Sequence, residues 1–213
     1  MLYVQKSKSF LRLVLNHFSH LYHNTKYGSC AVLLYHRISE YSTDPQLLCV
    51  TPQNFNTHLA FLKNNYNLLR IDEWVSHLLN KRKFPERSVV LTFDDGYVDN
   101  YLFALPLLEQ YKVQALFYIA TGTIDSDREF WWDEVERAVL LPDNLNELNI
   151  SFNQKIIKYN PDKDNRKDFY NSLLATLRVL APAERDEVIS KLLKSSGFNP
   201  VSSKKFNTES GIV

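Results

Sequence analysis

Two adjacent carboxylates set on a glycine, Asp94-Asp95-Gly96, follow the apolar run Val89–Phe93 in the stretch VVLTFDDGYVDN. Side by side, the two charges repel. Because successive side chains of an extended chain diverge, the pair can do two different jobs at one site. One carboxylate can hold a hard cation or Zn²⁺, and the other can act as a base beside it. A cation would also relieve the repulsion and keep both acids ionised. Gly96 permits the tight turn that such an arrangement needs. A plainer reading stands beside this one: residues 94–97 form a turn, and Asp95 caps the helix that follows.

The surrounding elements would have to place that pair at the end of a strand. CAVLLYHRI (30–38) and SVVLTF (88–93) are continuous apolar runs, as in strands buried on both faces. YNLLRI and VQALFYIATG read as further strands. TPQNFNTHLAFLKNN opens a helix, with Thr51 as N-cap, Pro52 in the first turn and Phe55, Leu59 and Leu62 facing inward. DEWVSHLLN reads as a helix capped by Asp72. YVDNYLFALPLLEQY reads as one that Pro106 must kink or restart. FWWDEVERAVL is helical, with Trp131, Val135 and Val139 inward. Apolar strands alternating with helices predict a parallel α/β sheet, doubly wound or closed as a barrel. Ligands of such sheets sit at the carboxyl ends of the strands, where Asp94 and Asp95 lie. His36 ends the first strand and belongs to the same face. It could touch substrate or metal, or serve as a hydrogen-bonded structural histidine. From residue 143 the pattern changes to a small hairpin, LNISFNQKIIKYN, and two charged amphipathic helices, the second from Pro182 to a stop at Gly197.

Composition narrows the function classes. The chain has 213 residues, and a formal net charge of +1 offers no field for nucleic acid. Cys30 and Cys49 form no metal or disulfide framework. The first 29 residues lack the apolar core and cleavage site of a signal peptide, and no run has the length of a membrane span. The expected location is therefore cytoplasmic. Phe10, Leu11, Val14, Leu15, Phe18, Leu21 and Tyr22 recur at helical spacing. That helix could lie on a membrane surface, although packing on its own domain is the favoured reading.

LTFDDGYVDNY resembles the first signature of the polysaccharide deacetylase family, the NodB-homology or carbohydrate esterase family 4 group. LLYHRI, TPQNFNTHLAFL, ALFYIATG and FWWDEVERAVL resemble, in order, the segments around it. The resemblance implies the N-terminal part of a deformed (β/α) barrel, TIM-barrel-like, with a helical cap insertion. The implied divisions are an amphipathic helix over 1–29, an incomplete barrel over 30–142, the cap over 143–197 and a flexible tail over 198–213. It further implies metal-dependent removal of acetyl groups from N-acetylated oligo- or polysaccharides. Asp94 matches the family's catalytic base and Asp95 its metal-binding aspartate, the metal being divalent and in most members zinc.

The family completes that metal site with an H-[ST]-x-x-H segment downstream. Here His17, His20, His23, His36, His58 and His77 all precede Asp94. One carboxylate falls short of the three protein ligands of a catalytic zinc. The expectation is a deacetylase-like hydrolase cut short before its histidines, its activity left open by the missing ligands, and poorly soluble on its own. The alternative is a carbohydrate-binding remnant without turnover. A glycosidase built on Asp94 and a distant carboxylate is a weaker third reading.

Overall fold

The computed structural model describes residues 28–41, 43–124, 128–153 and 155–197. The helix expected over 1–29 thus lies outside the described residues, save Gly28 and Ser29, as does the tail expected over 198–213. The chain divides into two compact units. The first contains residues 28–40 and 48–119 of those described, and the second contains 41–47 and 120–197.

The first unit is organised around β5 (Ser88–Phe93), whose six residues are all buried. β1 (Cys30–Tyr35) runs parallel to it over its full length, from Cys30 opposite Ser88 to Tyr35 opposite Phe93. The other edge of β5 is shared. β4 (Asn67–Leu68) pairs with Ser88–Val89, and β6 (Ala115–Phe117) pairs with Leu91–Phe93, both parallel. A separate short parallel pair joins β2 (Arg37–Ile38) to β3 (Cys49–Val50). The expected α/β character and parallel pairing are thus present.

Three helical segments complete this unit. α1 (Pro52–Asn65) starts as its sequence predicts: the Thr51 hydroxyl accepts from the Asn54 N–H, and Phe55, Leu59 and Leu62 are buried. α2 (Ile71–Leu79) departs from expectation at its cap. Arg70, not Asp72, is the N-cap, and its N–H donates to Glu73 Oε2 at 2.9 Å. Asp72 instead binds the Arg70 guanidinium, at 2.9 and 3.2 Å. Pro106 restarts its helix: a π-helical turn, Asn100–Ala104, precedes α3 (Leu105–Tyr111), where the proline sits in the first turn. That placement spares a backbone hydrogen bond that proline cannot donate.

One face of the sheet meets these helices. Val89, Leu91 and Phe93 alternate onto it and join Tyr35, Ile38, Phe55 and Leu59 in one core. Phe93 is its aromatic hub, stacked on Phe117 at 4.8 Å and edge-on to Phe55 at 5.7 Å. Two strand expectations need correction. β1 is not buried on both faces, since Val32 and Leu34 are 49% and 52% exposed; the helices cover only the side bearing Leu33 and Tyr35. β6 is three residues long, not ten. Its last rung is the Tyr118 N–H donated to the Phe93 carbonyl, after which β5 itself turns away.

The second unit has its own core. The expected hairpin is present as β7 (Leu148–Phe152) antiparallel to β8 (Lys155–Tyr159). Along β7, Leu148, Ile150 and Phe152 are buried while Asn149 and Ser151 are exposed, the alternation of a strand with one wet face. The buried side packs with α4 (Trp131–Val139), α5 (Arg166–Arg178) and α6 (Pro182–Ser195) through Val135, Val139, Tyr170, Leu177 and Ile189. Asn165 caps α5 by accepting from the N–H groups of Lys167 and Asp168. Gly197, at φ +70°, follows α6 in the left-handed conformation that ends helices.

Candidate active site

At the carboxyl end of β5 the Asp94 N–H still bonds to the sheet, donating to the Tyr35 carbonyl at 2.9 Å. Since Tyr35 and Phe93 are in register, His36 and Asp94 emerge next to one another where β1 and β5 end. The chain then reverses. Asp95 has φ +73° and Gly96 φ +85°, and the Gly96 N–H donates to the Asp94 carbonyl at 2.9 Å. For a residue with a Cβ the left-handed conformation costs about 1–2 kcal/mol, less for Asp and Asn. Strain of this kind collects where a side chain must be aimed. The glycine is demanded twice, because a Cβ there would also lie 3.0 Å from Ile119 Cγ2.

The three carboxylates of the segment have separate fates. Asp99 is 1% exposed and fully engaged: it accepts from Arg37 Nε and from the Ile38 N–H, each at 3.0 Å. The same guanidinium lies 4.1 Å over the Tyr97 ring. Asp94 and Asp95 are half-buried, and their side chains make no hydrogen bond or ion pair among the described residues. Asp95 does not cap the following helix, so the plainer turn-and-cap reading fails at the cap. What remains is a turn that presents two unengaged carboxylates.

Electrostatics distinguish the acids further. Burial pushes the Asp95 carboxyl above the usual carboxylate range. The His36 and Arg37 charges pull it back, and neighbouring Asp94 adds to the upward push. Burial also raises Asp99, opposed by Arg37 and by the Ile38 N–H. A desolvated carboxylate beside another carboxylate is stabilised by any cation that reaches it.

His36, Asp94 and Asp95 thus gather at one end of the sheet. Even so, the described residues contain no group of three or more His, Cys, Asp or Glu side chains placed to hold a metal ion. Zinc takes three protein ligands and an open position in catalytic sites, so the donors present do not by themselves fit the zinc centre that the resemblance implies. His58 and His77 are engaged elsewhere: exposed His58 has its Nδ1 3.3 Å from the Tyr35 hydroxyl, and His77 stacks on Phe84 at 5.1 Å. His17, His20 and His23 lie outside the described residues.

Sequence patterns alone do not single out Arg37, Tyr97, Asp99 or Ile119. Asp99 carried a signal, as a third acid five residues past Asp94, and Arg37 adjoins His36. Their pairing across 62 positions carried none, since neither spacing nor periodicity encodes it.

Residues 81–145, from the loop before β5 through α4, match the family model described as polysaccharide deacetylase. The segment that bears Asp94 and Asp95 is thus similar to that family over those residues. Among relatives, YxkH of Bacillus subtilis, whose name carries the same family, is 36% identical over 94 residues, 44% of this chain and 32% of its own. The poly-β-1,6-N-acetyl-D-glucosamine N-deacetylase of Staphylococcus aureus is 29% identical over 128 residues, 54% of this chain and 44% of its own. Among solved structures, the Streptococcus pyogenes deacetylase PplD in complex with acetate is 31% identical with a TM-score of 0.41, covering 45% of this chain and 44% of that one. The chain spans 32% and 44% of the length of these two curated relatives.

Proposed function

We propose that this chain carries the base-bearing part of a polysaccharide deacetylase, a hydrolase acting on the acetamide C–N bond of N-acetylated sugars. The observation that carries the reading is the division of labour among the acids: Asp99 is consumed by Arg37, while Asp94 and Asp95 stay unengaged at a strand's carboxyl end. In this reading Asp94 takes a proton from water as its oxygen attacks the acetyl carbonyl carbon. The tetrahedral intermediate collapses with cleavage of the C–N bond. The proton passes to the leaving nitrogen, which releases acetate and a free amine. His36, adjacent to Asp94, contacts the sugar. Asp95 would supply one carboxylate to the divalent cation that the resemblance implies, zinc by family analogy. The parallel sheet forms the N-terminal part of a deformed barrel.

Acetate release from N-acetylglucosamine oligomers tests the reading. The expected result is slow turnover with added zinc that Asp94→Asn abolishes while the fold is kept. Release that Asp94→Asn leaves intact would refute it. The shortage of metal ligands among the described residues favours a second reading, a carbohydrate-binding remnant. Oligosaccharide binding by calorimetry, with no acetate released at any zinc concentration, would decide for that reading.

A further inference from the structure

At the opposite end of the β5 strand the first unit presents a surface that the deacetylase reading does not use. Helix α2, nine residues long, buries none of them. Its apolar residues Val75, Leu78 and Leu79 fall at i, i+3 and i+4, hence on one face, and are 38%, 49% and 77% exposed. The chain then runs directly into Lys81, Arg82 and Lys83, and reaches Arg87 before β5 begins; all four are exposed. None of the four has an ion-pair partner among the described residues, and Glu86 is the only acid in the loop 80–87.

Single exposed apolar residues need no explanation. Three on one helical face, continued by a cluster of unpaired cations, make the pattern of a segment that lies in a lipid interface. We infer that α2 and the loop after it form a contact for an anionic membrane surface, with Val75, Leu78 and Leu79 entering the headgroup boundary and the Lys81–Lys83 cations meeting lipid phosphates. Charge selects this occupant. An apolar protein partner would have to desolvate four cations that have no ion-pair partner among the described residues to reach the same face, whereas an anionic surface gains about fivefold in partitioning from each. The contact is superficial: the helix is only about 14 Å long, and among the described residues no helix is long and apolar enough to cross a membrane. Because the loop enters β5 at its amino end, adsorption there leaves Asp94 and Asp95, at the carboxyl end, clear of the lipid.

Co-sedimentation of the full chain with vesicles provides the test, and it does not depend on catalysis. Vesicles of about one-third phosphatidylglycerol in phosphatidylcholine should bind the chain, with salt weakening the contact, while pure phosphatidylcholine should not. The triple variant Lys81→Gln/Arg82→Gln/Lys83→Gln should lose about 100-fold in partitioning. Leu78→Ser/Leu79→Ser should lose about tenfold with an unchanged melting temperature, since both side chains are exposed. Failure to bind the anionic vesicles overturns the inference. So does binding that either variant leaves intact, which would place the contact elsewhere or reduce it to counterion adsorption. A dimer that Leu78→Ser/Leu79→Ser splits would assign the face to a second copy and overturn it as well.

Discussion

Arg37 Nε lies 3.0 Å from Asp99 Oδ2, both side chains almost entirely withdrawn from solvent. This pair ties the end of β1 to the segment that begins with Asp94, so the position of the unengaged carboxylates depends on a buried ion pair 62 positions apart in sequence. Desolvation makes such a pair a poor source of stability, yet breaking half of it is costly.

Arg37→Met should therefore destabilise the chain by about 3 kcal/mol, because Asp99 is left charged and buried without its cation. Arg37→Met combined with Asp99→Leu should recover part of that loss. The recovery is incomplete because the Ile38 N–H then lacks its acceptor. Urea denaturation of the two variants and the parent checks both statements.

Gly96→Ala should cost about 1–2 kcal/mol from the left-handed backbone alone, plus the contact with Ile119 Cγ2 at 3.0 Å. Adding Ile119→Ala should return the contact part only. A double-mutant cycle on thermal melts separates the two contributions.

The raised Asp95 carboxyl makes stability depend on pH with a definite sign. A carboxyl that binds its proton more tightly when folded favours folding below the ordinary carboxylate range. That contribution disappears as pH rises through its raised pKa. At neutral pH the ionised Asp95 weighs against the fold. Asp95→Asn keeps a side chain tolerant of the left-handed turn and removes the charge. It should raise the melting temperature by about 2 °C at neutral pH, small because the group is half-exposed. Calorimetry at successively lower pH should show the gain vanish once the parent's carboxyl is protonated in both states.

In the second unit, Leu177→Ala and Ile189→Ala, both fully buried, should each cost about 2–5 kcal/mol. Val179→Ser, at a position 83% exposed, should leave stability within about 0.5 kcal/mol. Chemical denaturation curves for the three variants measure the contrast.

Much of the fold was legible because its signals are local. Thr51-Pro52 announced the start of α1, the run SVVLTF a strand buried on both faces, LNISFNQKIIKYN a hairpin, and Pro106 a break within its helix. Illegible were features set by neighbours distant in sequence. CAVLLY has the composition of a doubly buried strand, but the helices pack on only one of its faces, which leaves Val32 and Leu34 half-exposed. One miss was local: Asp72 looked like an N-cap, but Glu73 reaches back three residues to accept the N–H of Arg70, which caps the helix instead.

The candidate site divides along the same line. The sequence by itself determined that two carboxylates and a glycine follow a buried strand, in a segment, residues 81–145, that matches the polysaccharide deacetylase family model. Only the tertiary structure decided which of the acids are available. Asp99 is held by an arginine that no local pattern connects to it, while Asp94 and Asp95 turn out of the sheet beside His36. The reason is physical: strand and turn propensities act over a few residues, whereas the pairing of a buried charge is settled by whichever partner the packed chain brings within reach.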